Sequence, residues 1–491
     1  MTRVASRYRT STARAAARMA SPPTSWWLGP GWYLITALVV TGAAFFIATA
    51  SSRVAVAVVL TAIGLSLGSR TRILVYAAML APFLGLMRRV LSGDTGRVDF
   101  DPLVVVPLVL TVVVLAFPTR GVARPRRRVL PLALVFASIA LALVVVHGAF
   151  AFDVLYGVTT LVLPVLLVAS IADGRTPDAW PAVMRVLPVV GVLAGAYGVL
   201  QFYVLPDWDR AWMAASELTS IGSPEPLQVR VFGGSEAPGA FAFFLGIVVV
   251  VALARALEAR GAARVPWFVL AAALTFPIVL SGVRATLAGI AVCIVVLSLL
   301  YGRGLGRLLP LVLLAVLTLV MQRTVGLFGE TSKLLTAERL TNLDVANDGS
   351  VQARLKLYAA LLRPWELLAG DPAARRSDGM VPDVAIRFGI FAGVIMGCLL
   401  VWMTVQAVRN LRNSAAVAAS LVTVFFVVHS FAGNTFSSAA GVVAAMALGS
   451  SLAARTAEPA LEGELDQVVS GRSVRKPDSG DRRTGRSTRR G

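Results

Sequence analysis

Stretches of about 20 consecutive apolar residues recur along this chain, and each is long enough to cross a hydrocarbon core of about 30 Å. Nothing constrains the fold more, because inside lipid a backbone must satisfy its own hydrogen bonds, and helices do so within one segment. Hydrophobic residues make up 57% of the 491 and charged ones only 15%, against about 25% charged in a soluble domain. The expected fold is all-α, a polytopic transmembrane helical bundle of about 12–14 spans with a large extracytoplasmic loop.

The candidate spans are 31–50, 54–69, 73–91, 102–118, 129–149, 154–172, 183–204, 238–257, 266–282, 285–301, 308–322, 386–407, 414–432 and 436–453. Residues 1–28 form a basic cytoplasmic arm and 29–454 the transmembrane domain, with long outer loops at 205–237 and 323–385. Residues 455–491 are rich in Arg, Ser, Gly and Asp and are expected to be a disordered basic cytoplasmic tail, whose charge either serves as a topology signal alone or draws it to anionic membrane lipids. Ala48-Thr49-Ala50 fits a signal-peptidase site, but the preceding run is longer than a usual leader, so the first span reads as uncleaved.

The formal net charge is +20. That excess does not point to nucleic acid, because it gathers in the termini and in short loops between apolar runs. With the N-terminus in the cytoplasm, the loops holding Arg70/Arg72, Arg120–Arg128, Arg175, Arg255/Arg260/Arg264, Arg303/Arg307 and Arg409/Arg412 all fall inside, as does the tail. Each is basic, as the positive-inside rule requires. The reading is a multi-pass protein of the cell inner (cytoplasmic) membrane, both termini cytoplasmic.

Cys293, Cys398, His147 and His429 lie in or near the ends of apolar runs, and no His/Cys/Asp spacing suits a metal, so neither metal nor cofactor is expected. No Walker motif or Gly-rich phosphate loop occurs on the cytoplasmic side, which argues against an ATP-driven pump.

Three features break the topological pattern and meet at the outer face. Arg284 stands in Leu280-Ser281-Gly282-Val283-Arg284-Ala285-Thr286, a junction that should face outside. A Ser/Gly turn beside a guanidinium suits an anion such as a phosphate. Arg230 precedes Gly233-Gly234-Ser235-Glu236-Ala237-Pro238, where Pro238 suits a helix start and Glu236 is a nearby carboxylate. The loop 323–385 is long enough to act as a lid or binding element. In it Ser350 could cap a short helix with Arg354, Lys356, Tyr358 and Trp365, followed by Asp371, Arg375/Arg376 and Asp383. Arg387 opens the next span. Together they describe a basic outward cavity in which bidentate arginines hold a pyrophosphate and a carboxylate deprotonates an attacking hydroxyl.

These segments resemble, in order, the motifs of the O-antigen ligase/polymerase family of polytopic membrane glycosyltransferases. Arg230-Val231-Phe232-Gly233 with Ala237-Pro238 resembles that family's Arg-x-x-Gly…Pro-Asn element. Ser281-Gly282-Val283-Arg284-Ala285 resembles its Ser-Arg-Gly/Ala element, and Arg354 with Leu367-Leu368-Ala369-Gly370 its periplasmic Arg…Pro-Leu-x-Gly-x-Gly stretch. Asp383 through Gly389 and Gly393 resembles the Asp/His-Asn…Gly-x-x-Gly element entering the next helix.

The resemblance implies a GT-C-like fold and metal-independent transfer of a glycan from undecaprenyl pyrophosphate to an acceptor sugar. A lipid-linked oligosaccharide would be the substrate, with envelope-polysaccharide assembly proteins as further partners. It implies catalytic roles for Arg284, Arg354 and Asp383, with Arg230, Glu236, Asp371 and Arg387 binding substrate. Gly239 stands where the family has Asn, the second Gly after Gly370 is displaced to Gly379, and the long loop lacks the ligases' histidine. The pattern is therefore polymerase-like more than ligase-like. Two alternatives stand beside it: a lipid-linked oligosaccharide flippase, disfavoured by spans nearly free of midplane charge, and a non-catalytic envelope-assembly scaffold.

Overall fold

A computed structural model describes residues 52–92, 101–116, 129–216, 221–301, 349–368, 370–374, 379–411, 413, 416–433 and 435–453. The expected spans 31–50 and 308–322, the arm and the tail lie outside them. The described residues form helices joined by turns, with one isolated antiparallel bridge between Gly222 and Val229. The all-α bundle is as the apolar runs require.

The helices are α1 (Ser52–Ser66), α2 (Arg70–Leu80), α3 (Leu84–Ser92), α4 (Val106–Ala116), α5 (Val129–Val146), α6 (Phe152–Ala172), α7 (Ala179–Tyr203) and α8 (Asp207–Ala215). Then come α9 (Pro238–Glu258), α10 (Val265–Ser281), α11 (Arg284–Tyr301), α12 (Gly349–Ala360), α13 (Met380–Phe388), α14 (Ile390–Asn410), α15 (Val417–Ser430) and α16 (Ala440–Ala453). Among the described residues, six helices are long and apolar enough to cross a membrane, and α1, α4, α11, α15 and α16 are shorter apolar helices.

Two expected spans are broken. The run 73–91 divides into α2 and α3, bent by 57°. Proline 82 in the linker cannot donate to a continuous helix. The run from 386 divides at Gly389, whose φ of 87° separates α13 from α14. Part of the expected loop 323–385 is thus helical, as α12 and most of α13. Trp365 lies beyond α12, in the 3₁₀ turn Pro364–Leu367.

The centre of the bundle is α9, where every residue from Phe241 to Ala254 is buried. It packs against α7, α10, α11 and α15. A helix apolar on all sides can sit only inside a bundle or in lipid. At the periphery, α5 leaves Leu132, Val135, Val145 and Val146 exposed, the composition of a lipid-facing surface.

The arginines divide between the two ends of this bundle. Arg70 and Arg175 lie within electrostatic reach of each other at one end, where α2 and α7 begin. Arg230 and Arg284 lie at the other, where α7 and α10 end and α9 and α11 begin.

Candidate functional site

The loop entering α9 is held by an ion pair far from water. Arg89, on α3, is 1% exposed and Asp209, on α8, is 0% exposed; Arg89 Nε donates to Asp209 Oδ1 at 2.6 Å. The guanidinium also donates to the carbonyl of Ser235 at 2.7 Å and to that of Gly233. It lies over the rings of Phe232 and Trp212. Asp209 Oδ2 accepts from Gln201 Nε2 at 2.7 Å and from Tyr197 Oη at 2.8 Å. Gln201 Oε1 in turn accepts from the Phe232 and Gly233 amides at 2.9 and 2.8 Å.

A buried charge is tolerated only when paired and fully hydrogen-bonded, and here both are. The backbone from Phe232 to Ser235 is therefore gripped on its amides by Gln201 and on its carbonyls by Arg89. Gly234 is required by close approach, since a methyl group there would collide with the Pro82 carbonyl. That contact explains why the α2–α3 bend belongs to the site: its linker forms the floor under the loop.

This clasp sets the positions of Arg230 and Glu236 at either end of the gripped segment. The Arg230 amide donates to the Ile221 carbonyl at 2.8 Å, and its Nε donates to the Ser281 carbonyl at 3.1 Å. The Val231 amide donates to Leu280 at 3.3 Å. Arg230 is thereby tied to the turn that carries Arg284. Gly282 ends α10 with φ 64°, a left-handed conformation, and α11 starts two residues later at Arg284. Arg230, Glu236 and Arg284 are all half-buried. The first-turn amides of α11 add a partial positive charge beside them.

The third arginine reaches the same end through α12. Tyr358 Oη donates to the Phe431 carbonyl, just past α15, at 3.0 Å. Burial pushes the Tyr358 phenol upward, opposed by the charge of Arg354 one turn before it. The charge of Arg354 also bears on His429 in the last turn of α15. His429 Nε2 lies 3.2 Å from Thr286 Oγ1, in the first turn of α11. Arg230 is thus tied by a hydrogen bond to the turn that carries Arg284, and the charge of Arg354 reaches the same end of the bundle at His429.

No family model and no curated protein matches this chain. What the site can do rests on its own geometry.

The two acidic residues expected near α13 are placed differently from the sequence reading. Asp383 is 0% exposed and lies 3.9 Å from Arg387, itself 3% exposed, one turn along the same helix. Arg387 also donates to Gly157 at 3.4 Å and to Pro372 at 3.5 Å, and stacks on Phe388. Arg387 thus ties α13 to α6 and to the Gly370 loop, with Asp383 buried beside it. Asp371 is exposed, and its carboxylate accepts from the Ala373 amide at 2.9 Å while its own amide donates to Ile386 at 2.8 Å. It shapes the turn that seats this loop against α13. Arg375 and Arg376 lie outside the described residues.

Sequence reasoning missed Arg89, Asp209, Gln201 and His429. The signal for Arg89 was present: an Arg pair inside an otherwise apolar run is costly and marks a partner elsewhere. His429 had no such signal, because its neighbours Thr286 and Arg354 are distant in the chain. Among the described residues, no three His, Cys, Asp or Glu side chains converge as a metal-binding group.

Proposed function

We propose that the chain is a membrane glycosyltransferase of the O-antigen polymerase/ligase type, acting on a glycan carried by a polyprenyl pyrophosphate at the outer face of the cytoplasmic membrane. The observation that carries this reading is the hydrogen bond that ties Arg230 to the Ser281 turn beside Arg284, with Arg354 brought to the same end by the Tyr358–Phe431 bond of its helix. Three guanidinium groups at one end of a membrane bundle are the recognition chemistry of a diphosphate. They stand at the end opposite the basic loops, which the positive-inside rule assigns to the cytoplasm.

On this reading the arginines bind the pyrophosphate of the donor in the ground state and take up the charge that develops as it leaves. The acceptor hydroxyl oxygen forms the new bond to the anomeric carbon as the carbon–pyrophosphate bond breaks, and the electron pair departs with the pyrophosphate. Stabilising a developing charge with preorganised donors is the largest contribution such a site can make. Glu236, half-buried just before α9, is the carboxylate to which this reading gives the hydroxyl proton. The fixed backbone from Phe232 to Ser235 holds Glu236 and Arg230 in register with each other.

A lipid-linked oligosaccharide flippase is the competing reading, and what cells lacking the protein accumulate separates the two. A transferase defect leaves single lipid-linked repeat units outside the membrane, open to an added glycosidase. Protected units held inside would contradict the proposal and favour transport.

A further inference from the structure

The segment that runs from α12 toward the Gly370 loop turns apolar side chains away from the protein. Leu355, Leu362, Trp365 and Leu368 are each between 54% and 79% exposed. Apolar groups gathered in this way are unfavourable in water and mark a contact surface.

Their arrangement is ordered. The amides of Leu361, Leu362 and Arg363 donate three residues back, to the carbonyls of Tyr358, Ala359 and Ala360, so the turn of α12 runs on to Arg363. Three strips follow one another around it, each displaced by one residue, or about 100°. Arg354, Tyr358 and Leu361 are half-buried on the side seated against the protein. Leu355, Ala359 and Leu362 are exposed and apolar, and Lys356 and Arg363 are exposed and cationic. The apolar ridge therefore lies between the side that touches protein and the side that carries charge. A cover standing in water would place polar groups on that ridge.

Two contacts fix the height of the segment against the bundle. Tyr358 Oη donates to the Phe431 carbonyl at 3.0 Å, just past the end of α15. At the other end, a methyl group on Gly389 would come 2.7 Å from the Leu368 carbonyl, so Leu368 sits against the residue that precedes α14. The segment thus reaches from the end of one apolar helix to the start of another. Phe431 is itself exposed, and so are Phe391, Val394 and Ile395 in the first turns of α14, a helix long and apolar enough to cross a membrane. Leu368 brings the exposed apolar residues of the segment to the head of that lipid-facing surface.

We propose that residues 355–368 form an interfacial arm that lies in the lipid surface at the Arg230/Arg284 end of the bundle. Leu355, Leu362, Trp365 and Leu368 enter the boundary between headgroups and acyl chains, by about 5–10 Å as in other interfacial helices. Lys356 and Arg363 reach from the same turns to lipid phosphates. Tryptophan suits this depth, with an apolar ring and one polar N–H. The arm's partner is the bilayer itself, and the proposal stands apart from the glycosyltransferase reading.

The first test uses the full-length wild-type protein in vesicles of phosphatidylethanolamine and phosphatidylglycerol that include a phospholipid with a photoactivatable acyl chain. Mass spectrometry after illumination should find adducts within 355–368 as well as on α14. Adducts on α14 with none within 355–368 overturn the proposal. The second test places spin labels by Leu355→Cys, Lys356→Cys, Leu362→Cys, Arg363→Cys and Trp365→Cys in a Cys398→Ala background; Cys293 is buried and is left in place. Collisions with oxygen, which concentrates among acyl chains, are compared with collisions with a water-soluble nickel chelate. A label at Phe391 serves as the lipid reference, and one at the exposed Asp207 as the water reference.

The ratio of oxygen to nickel collisions at Leu355, Leu362 and Trp365 should exceed that at Asp207 severalfold, and it should fall at Lys356 and Arg363. Ratios at Leu355 and Leu362 equal to the one at Asp207 place the segment in water and overturn the proposal. Weak collisions with both reagents there mean that protein, another segment or a second copy, covers the ridge, which overturns it as well. Either failure leaves the glycosyltransferase reading standing, because neither test reads glycan transfer.

Discussion

At the residue scale, the account turns on which arginines the topology explains. Arg230, Arg284 and Arg354 could be singled out in the sequence because the topology expected from loop charge puts each on the side where Arg is not favoured. Arg89 was not, because its meaning lies in Asp209, 120 residues away. Truncating one partner of such a pair strands the other charge in the interior, which costs about 3–5 kcal/mol. Arg89→Ala is thus expected to lower the thermal transition sharply in detergent, whereas Arg210→Ala, whose Asp207 pair is exposed, should change it little. Equal effects would show that the clasp contributes no more than a surface pair. Asp383 shows what a motif leaves out: the position is legible as a carboxylate, but its burial 3.9 Å from Arg387 is not.

At the element scale, the sequence located the helices better than their breaks. Run length and composition reveal that a segment is apolar, but not that it turns partway. The bend at Pro82 and the break at Gly389 have local signatures, yet each was absorbed into a longer apolar run. The short helix α12 shows how a polar element joins the bundle, through Tyr358 and the Phe431 carbonyl. Because burial raises the Tyr358 phenol, the folded protein holds that proton more tightly than the unfolded chain. The resulting stabilisation is complete below the ordinary phenol value of about 10 and is lost as pH rises through the higher folded value. Thermal melts across that window should show wild type losing stability that Tyr358→Phe has already lost; parallel curves at every pH would contradict the tether.

At the scale of the whole molecule, arginines gather at both ends of the bundle in different settings. One end gathers arginines such as Arg70 and Arg175 at helix starts. The other gathers arginines seated by buried clasps, a left-handed turn and the first turn of α11. The bundle and the grouping of its arginines could be foreseen, because both follow from hydropathy and loop charge. The coupling of α3, α8, α7 and the α9 entry could not, because it depends on hydrogen bonds between residues distant in sequence. The central claim is that this second end transfers glycan from a pyrophosphate carrier, and its most direct test is the size profile of lipid-linked and surface glycans. The measurement is made in a strain deleted for the gene and complemented with wild type or Arg284→Ala. Wild type should restore long glycan, and Arg284→Ala, present in the membrane at normal level, should leave single lipid-linked units; a normal chain-length profile from Arg284→Ala would contradict the account.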